Sequence, residues 1–237
     1  MKKITYLTLV VSVAVLFSCK KESPGTRPLA SLNLVNAVVG LSSLQVNFNN
    51  AEGFDYYSYI SNSGVTVYFG SNNVYSVIAG RNVPMAVINA SDTTTTLFNT
   101  TLNLVNGGVY SLYLAGQLGS IDTVMVKDQI PNYTDSVTGL RFINLSQGSL
   151  PVNVTMAATP GTNEFANVVY KQISGFNSYP AGAANSSYTF NVYQASSDSL
   201  LASYSFTPVP FQSSTLALIG QETGPNAGLE IMQINNR

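Results

Sequence analysis

One cysteine, no histidine and a short run of tyrosines are the residues of this 237-residue chain that bear most directly on chemistry. Without histidine, the commonest general base and the commonest metal ligand are missing. Every Ser-His or Cys-His nucleophile pair is excluded with them. A single cysteine, Cys19, excludes an internal disulfide and any zinc site built on cysteines. The aspartates are Asp55, Asp92, Asp122, Asp128, Asp135 and Asp198. They are spread along the chain, whereas a calcium loop needs several oxygen ligands close together. Glu52 and Asp55 share a loop, but two carboxylates alone rarely make a site. No Ser-x-x-Lys spacing occurs beyond the leader. No catalytic residue, no cofactor and no metal ligand is therefore expected, and the chain reads as a non-enzyme.

Two patterns remain. Phe54, Tyr56, Tyr57 and Tyr59 crowd one segment. A tyrosine joins a flat apolar ring to a hydroxyl, so an exposed group of them could stack on sugar rings or anchor a protein partner. Tyr56, Tyr57 and Tyr59 are the candidate ligand face, against the plainer possibility that they fill a strand's core side. The second pattern is Asp followed by Ser or Thr, at Asp92, Asp122, Asp135 and Asp198. It resembles the acceptor of a bacterial envelope O-glycosylation system, and ordinary turn chemistry, with aspartate bonding to nearby backbone, explains it equally well.

Cys19 stands at the end of a leader. Met1-Lys2-Lys3 is positively charged, and Ile4 to Phe17 is almost wholly apolar. That stretch is too short to span a membrane and suits the core of an export signal. Leu16-Phe17-Ser18-Cys19 resembles a lipobox, the processing signal of bacterial lipoproteins. The resemblance implies cleavage before Cys19 and acylation of its sulfur. It makes 1–18 a signal peptide and 19–28 a lipidated, polar tether. Lys20 takes the place where aspartate signals inner-membrane retention, so the expected location is the cell envelope at the outer membrane. The membrane partner would be met through lipid on Cys19.

The elements that must carry these residues read as strands. Hydrophobic residues make up 45% of the chain and charged ones 9%, with a net charge of −1. Such a chain can build a core, unlike a disordered one. Ten basic residues against eleven acidic ones offer no phosphate-binding surface, so nucleic acid is not an expected partner. From Leu29 onward apolar residues recur with period two, broken by Gly, Asn and Ser clusters about every ten residues, the pattern of a sandwich or barrel. The pattern also repeats. Leu32 to Asn36 matches Leu140 to Asn144, Gly40 matches Gly148, and Leu44 to Val46 matches Val152 to Val154, all 108 residues apart. Val67-Tyr68 matches Val169-Tyr170 and Ala79-Gly80 matches Ala181-Gly182 at 102, and Ser111 to Gln117 matches Thr215 to Gln221 at 104. The expected fold is all-β, two tandem immunoglobulin-like β-sandwich units of seven or so strands, over 29–133 and 134–237, joined by a linker at 128–138. The extra residues of the first unit fall in its tyrosine-rich segment.

These blocks resemble a bacterial family known as domain of unknown function 4397. The resemblance rests on Leu140 to Ser146, Leu150-Pro-Val-Asn-Val154, Tyr179-Pro-Ala-Gly182 and the strand ending at Gly220. In the first unit Ile78-Ala-Gly80 and Leu114-Ala-Gly116 follow the same layout. It implies a pair of β-sandwiches in the envelope and brings no activity with it. The expected function is a lipid-anchored envelope protein acting as a structural or partner-binding module, its partner an envelope protein. The alternative is a carbohydrate-binding surface lipoprotein, its partner a glycan.

Overall fold

The computed structural model describes residues 27–48, 65–224 and 228–236. Cys19 and the tyrosine cluster lie outside them. The described chain is all-β and without helix, with sixteen strands in four four-stranded sheets. The first eight strands are β1 (Leu29–Asn36), β2 (Ser43–Asn47), β3 (Val67–Tyr68), β4 (Ser71–Ile78), β5 (Asn82–Asn89), β6 (Asp92–Asn103), β7 (Val109–Gln117) and β8 (Ser120–Lys127). They form a sheet ordered β4-β1-β7-β8 and a facing sheet ordered β3-β2-β5-β6. The next eight repeat the plan: β9 (Val137–Asn144), β10 (Val152–Met156), β11 (Asn163–Val168), β12 (Asn177–Pro180), β13 (Tyr188–Gln194), β14 (Leu200–Phe206), β15 (Ser213–Gln221) and β16 (Gly228–Asn236). Their sheets are ordered β12-β9-β15-β16 and β11-β10-β13-β14. Among the described residues each unit is thus a two-layer sandwich of eight strands, in keeping with the seven or so that the sequence suggests.

Strand registers carry the sequence repeat. Leu29 pairs with Ile78 as Val137 pairs with Pro180. Ser31 lies beside Val109 as Gly139 lies beside Ser213, and in both units this contact is parallel. The spacings are those found between the matched blocks, so the repeated residues hold equivalent pairing positions.

A period of two normally means one buried and one wet face. The central strands depart from this: β7 is buried from Tyr110 to Gly116, and β15 is buried along its whole length. The other unit supplies the second cover. Leu32, Leu34, Leu112 and Leu114 fill the first sandwich, and Leu140, Phe142, Leu216 and Leu218 fill the second. The alternate residues Val35, Tyr113 and Ala115 pack against Ile143, Ala217, Ile219 and Ile234 in a third core between the units. The two inner sheets therefore lie back to back, and the molecule has four layers.

The two ends of this stack are lined differently. β1 starts, β16 ends and the segment after β8 crosses over at one end, where Ser31, Val109, Ile130, Asn235 and Asn236 surround a common cavity. At the other end Val39, Leu41 and Phe69 meet Gly220 and Gly228. Gly116 and Gly220 occupy equivalent strand ends there, with φ of 82° and 90°. A Cβ on Gly116 would lie 2.5 Å from the Ser120 carbonyl oxygen, so both the dihedral and the space demand glycine.

Candidate functional site

The segment expected as a free linker is partly built into the seam. Asp128, at its start, has a side chain 1% exposed, and Val137 and Thr138 already belong to β9. A charge can be buried when it is paired and hydrogen-bonded. Here Arg141 Nη2 donates to Asp128 Oδ1 at 2.6 Å, and Ser111 Oγ donates to Asp128 Oδ2 at 2.7 Å. The guanidinium also lies 4.8 Å from the centre of the Phe176 ring, and its Nη2 donates to the Tyr113 hydroxyl at 3.2 Å. Burial raises the Tyr113 phenol above its ordinary value, with Arg141 opposing the shift.

Arg141 sets hydrogen-bond directions further out. Its Nε donates to Thr215 Oγ1 at 2.8 Å. A guanidinium only donates, so the threonine oxygen accepts there and its own proton is free. That proton goes to Asn236 Oδ1 at 2.6 Å. The amide is thereby oriented with its oxygen inward, leaving Nδ2 as its donor to other groups. Asn235 is arranged alike: its Oδ1 accepts from Gln233 Nε2 at 2.7 Å and from Ser214 Oγ at 3.2 Å. Thr215 and Asn236 are the repeat equivalents of Ser111 and Asp128, so a hydroxyl-to-Asx bond occurs on each side of the seam. Arg141 stands where the first unit has Asn33, which accepts from Asn72 Nδ2 at 2.8 Å.

These amides line two adjoining cavities at the end of the stack where the chain crosses between units. One, of about 250 Å³, has Ser31, Asn33, Ser111 and Asp128 among its walls. The other, of about 590 Å³, is bounded by Asn132, Phe211, Gln212 and Ser213. Ile130, Asn235 and Asn236 border both, so the two form one groove along the seam. Ser213 is 2% exposed and its hydroxyl has no partner among the described residues.

Phe211 is the unusual member. Gln212 N donates to the Val209 carbonyl at 3.3 Å, closing a turn with Pro210 and Phe211 at its centre. Proline first and a positive φ second is the pattern of a type II turn, whose second central position favours glycine. Phe211 has φ of 64° in that position and remains 57% exposed. A bulky residue there is a true outlier. The turn is also fastened to β9: Phe211 N donates to the Val137 carbonyl at 2.9 Å, and Gly139 N and Thr138 Oγ1 both donate to the Gln212 carbonyl. The backbone beneath an apolar ring is thus fastened, and the ring stays largely exposed at the groove's edge.

Of the residues singled out from sequence, Cys19, Tyr56, Tyr57 and Tyr59 lie outside the described residues, as do Phe54, Glu52 and Asp55. The four Asp-Ser/Thr positions separate. Asp92 Oδ1 accepts from the Thr94 amide and hydroxyl, a local turn that lowers its pKa. Asp122 links the units a second time, accepting from Lys171 Nζ at 3.1 Å and Tyr170 Oη at 2.9 Å. Those bonds hold its carboxyl below the ordinary range. Asp135 and Asp198 sit in exposed turns. No group of three or more His, Cys, Asp or Glu among the described residues is placed to hold a metal ion. The seam groove is hidden at the level of sequence because its walls come from segments about 100 residues apart. Pro210-Phe211, proline followed by an aromatic between two strands, is its local signal.

No family model matches this chain, and no curated protein matches it. Among solved structures it is similar to a family 41 carbohydrate-binding module from a streptococcal virulence factor, described for alpha-glucan recognition. Identity is 11% and the TM-score 0.27, over 86% of this chain and 96% of that one. It is also similar to a family 26 module from Eubacterium rectale, solved with maltoheptaose, at 8% identity and a TM-score of 0.27 over 88% and 97% of the two chains. At that degree of likeness neither says anything of this chain's ligand.

Proposed function

We propose that this chain is a lipid-anchored binding module of the bacterial cell envelope, tethered at the outer membrane through Cys19 and without catalytic activity. The observation that carries the binding role is Phe211. Residues in sparsely populated backbone regions cost on the order of 1–3 kcal/mol and concentrate at functional sites. A ring kept in solvent at φ 64° gains little burial in return. The groove beside it offers neutral hydrogen-bonding groups. The one charged side chain in its walls, Asp128, is paired with Arg141 at 2.6 Å. Such walls suit holding a ligand better than moving protons. The anchor rests on Leu16 to Cys19 and on the polar stretch after it. Several acyl chains on one residue suffice for stable attachment, since each buried CH₂ contributes about 0.8 kcal/mol.

The full chain expressed in a Gram-negative host fed an alkyne-tagged fatty acid tests the anchor. Wild type should carry the label and sediment with outer membranes. Cys19→Ala should be unlabelled and released from them. An unlabelled, freely soluble wild type would overturn the proposal.

A further inference from the structure

We infer that the groove along the seam between the two units is a binding site for a neutral carbohydrate, with Phe211 as its stacking platform. The inference rests on the proposed binding role and adds a place and a ligand class. Small-molecule sites are typically concave, about 300–1,000 Å³, with an apolar surface and a few well-placed polar groups. The larger cavity, at about 590 Å³, falls in that range.

The chemistry of the walls selects the ligand. A sugar ring presents one face of C–H groups, which packs on an aromatic ring, and an edge of hydroxyls that both donate and accept. Phe211 supplies the ring, 57% exposed, with Ile130 and Pro131 extending the apolar surface. Asn235 and Asn236 supply amide donors, because inward hydrogen bonds already engage their oxygens. Gln212 adds an amide. An anionic ligand would find no cationic side chain in the walls of either cavity, and in the smaller one it would lie beside Asp128. A cationic ligand would find no unpaired carboxylate in the walls. A neutral polyol meets no such conflict.

Arg141 is in this scheme a positioning residue. It acts through Thr215 on the orientation of Asn236 and touches no ligand.

The full chain, purified in detergent, would be probed against an array of neutral and acidic oligosaccharides. Three variants run beside it: Phe211→Gly, Asn235→Asp, and Tyr56→Ala with Tyr57→Ala and Tyr59→Ala combined. Glycine accepts the positive φ, so Phe211→Gly removes the platform without disturbing the turn, and an unchanged melting temperature confirms this. The expected result is binding to neutral sugars that falls about tenfold or more in Phe211→Gly and Asn235→Asp, and stays in the tyrosine variant. Binding that survives Phe211→Gly and disappears in the tyrosine variant would overturn the groove while leaving a carbohydrate ligand. Preference for acidic sugars would overturn the neutral class. A blank array for folded wild type would overturn the carbohydrate inference as a whole, and fatty-acid labelling of Cys19 would still decide the anchor separately.

Discussion

In each unit a buried asparagine closes the turn after the first strand. Asn36 Nδ2 donates to the Leu41 and Val67 carbonyls, and its Oδ1 accepts from Val38 N. Asn144 does the same 108 residues later, donating to the Val168 carbonyl and Ser149 Oγ and accepting from Ser146 N. Both residues are fully buried. Truncating one leaves backbone groups without partners in the interior, each costing about 1–3 kcal/mol. Asn144→Ala should therefore lower unfolding stability by about 2–4 kcal/mol, seen as a shifted urea midpoint with an unchanged slope. Asn144→Asp should not rescue it, because the carboxylate cannot donate to the Val168 carbonyl. These asparagines are legible in the sequence as repeated letters. Their task is not, because each also donates to a carbonyl, Val67 or Val168, that chain folding brings up from more than twenty residues away.

The seam is where reading the elements from sequence falls short. The spacing of Leu32, Leu34 and their repeats announces strands correctly, and the matched blocks announce two units. What alternation cannot tell is whether a second face meets water or protein. The runs Ser111 to Gly116 and Thr215 to Gly220 hold scarcely a polar residue, which is how strands covered on both sides read. Arg141 shows equally little: a lone arginine in an apolar strand gives no hint of an aspartate thirteen positions earlier, just past the end of β8. At this scale the ion pair gives a sharp expectation. Arg141→Met leaves Asp128 buried and unpaired, and breaking such a pair from one side costs about 3–5 kcal/mol. Adding Asp128→Asn should recover most of that loss. A double-mutant cycle by chemical denaturation measures both, and additive effects would show that the two side chains are not coupled.

The whole molecule should weaken in alkali. Burial pushes the Tyr75 phenol up to about 12. Burial together with a neighbouring carboxylate raises Tyr170 and Tyr179 as well, through Asp122 and Glu164. Each phenol keeps its proton longer folded than unfolded. Its contribution is therefore complete below the unfolded value near 10 and is lost as pH climbs toward the folded one. Tyr75 alone should give a slope of about −1.4 kcal/mol per pH unit across that window. Tyr75→Phe should flatten the measured curve by that amount, and identical curves would show that Tyr75 titrates normally. The place where the last strand ends has a different consequence. Because β1 begins and β16 ends at the same end of the stack, whatever is joined to the chain after Asn236 emerges beside Asn235 and the groove. A reporter domain fused there would stand in the mouth of the site it was meant to observe. The turn at Leu118 and Gly119, exposed at the opposite end, is the place to insert one.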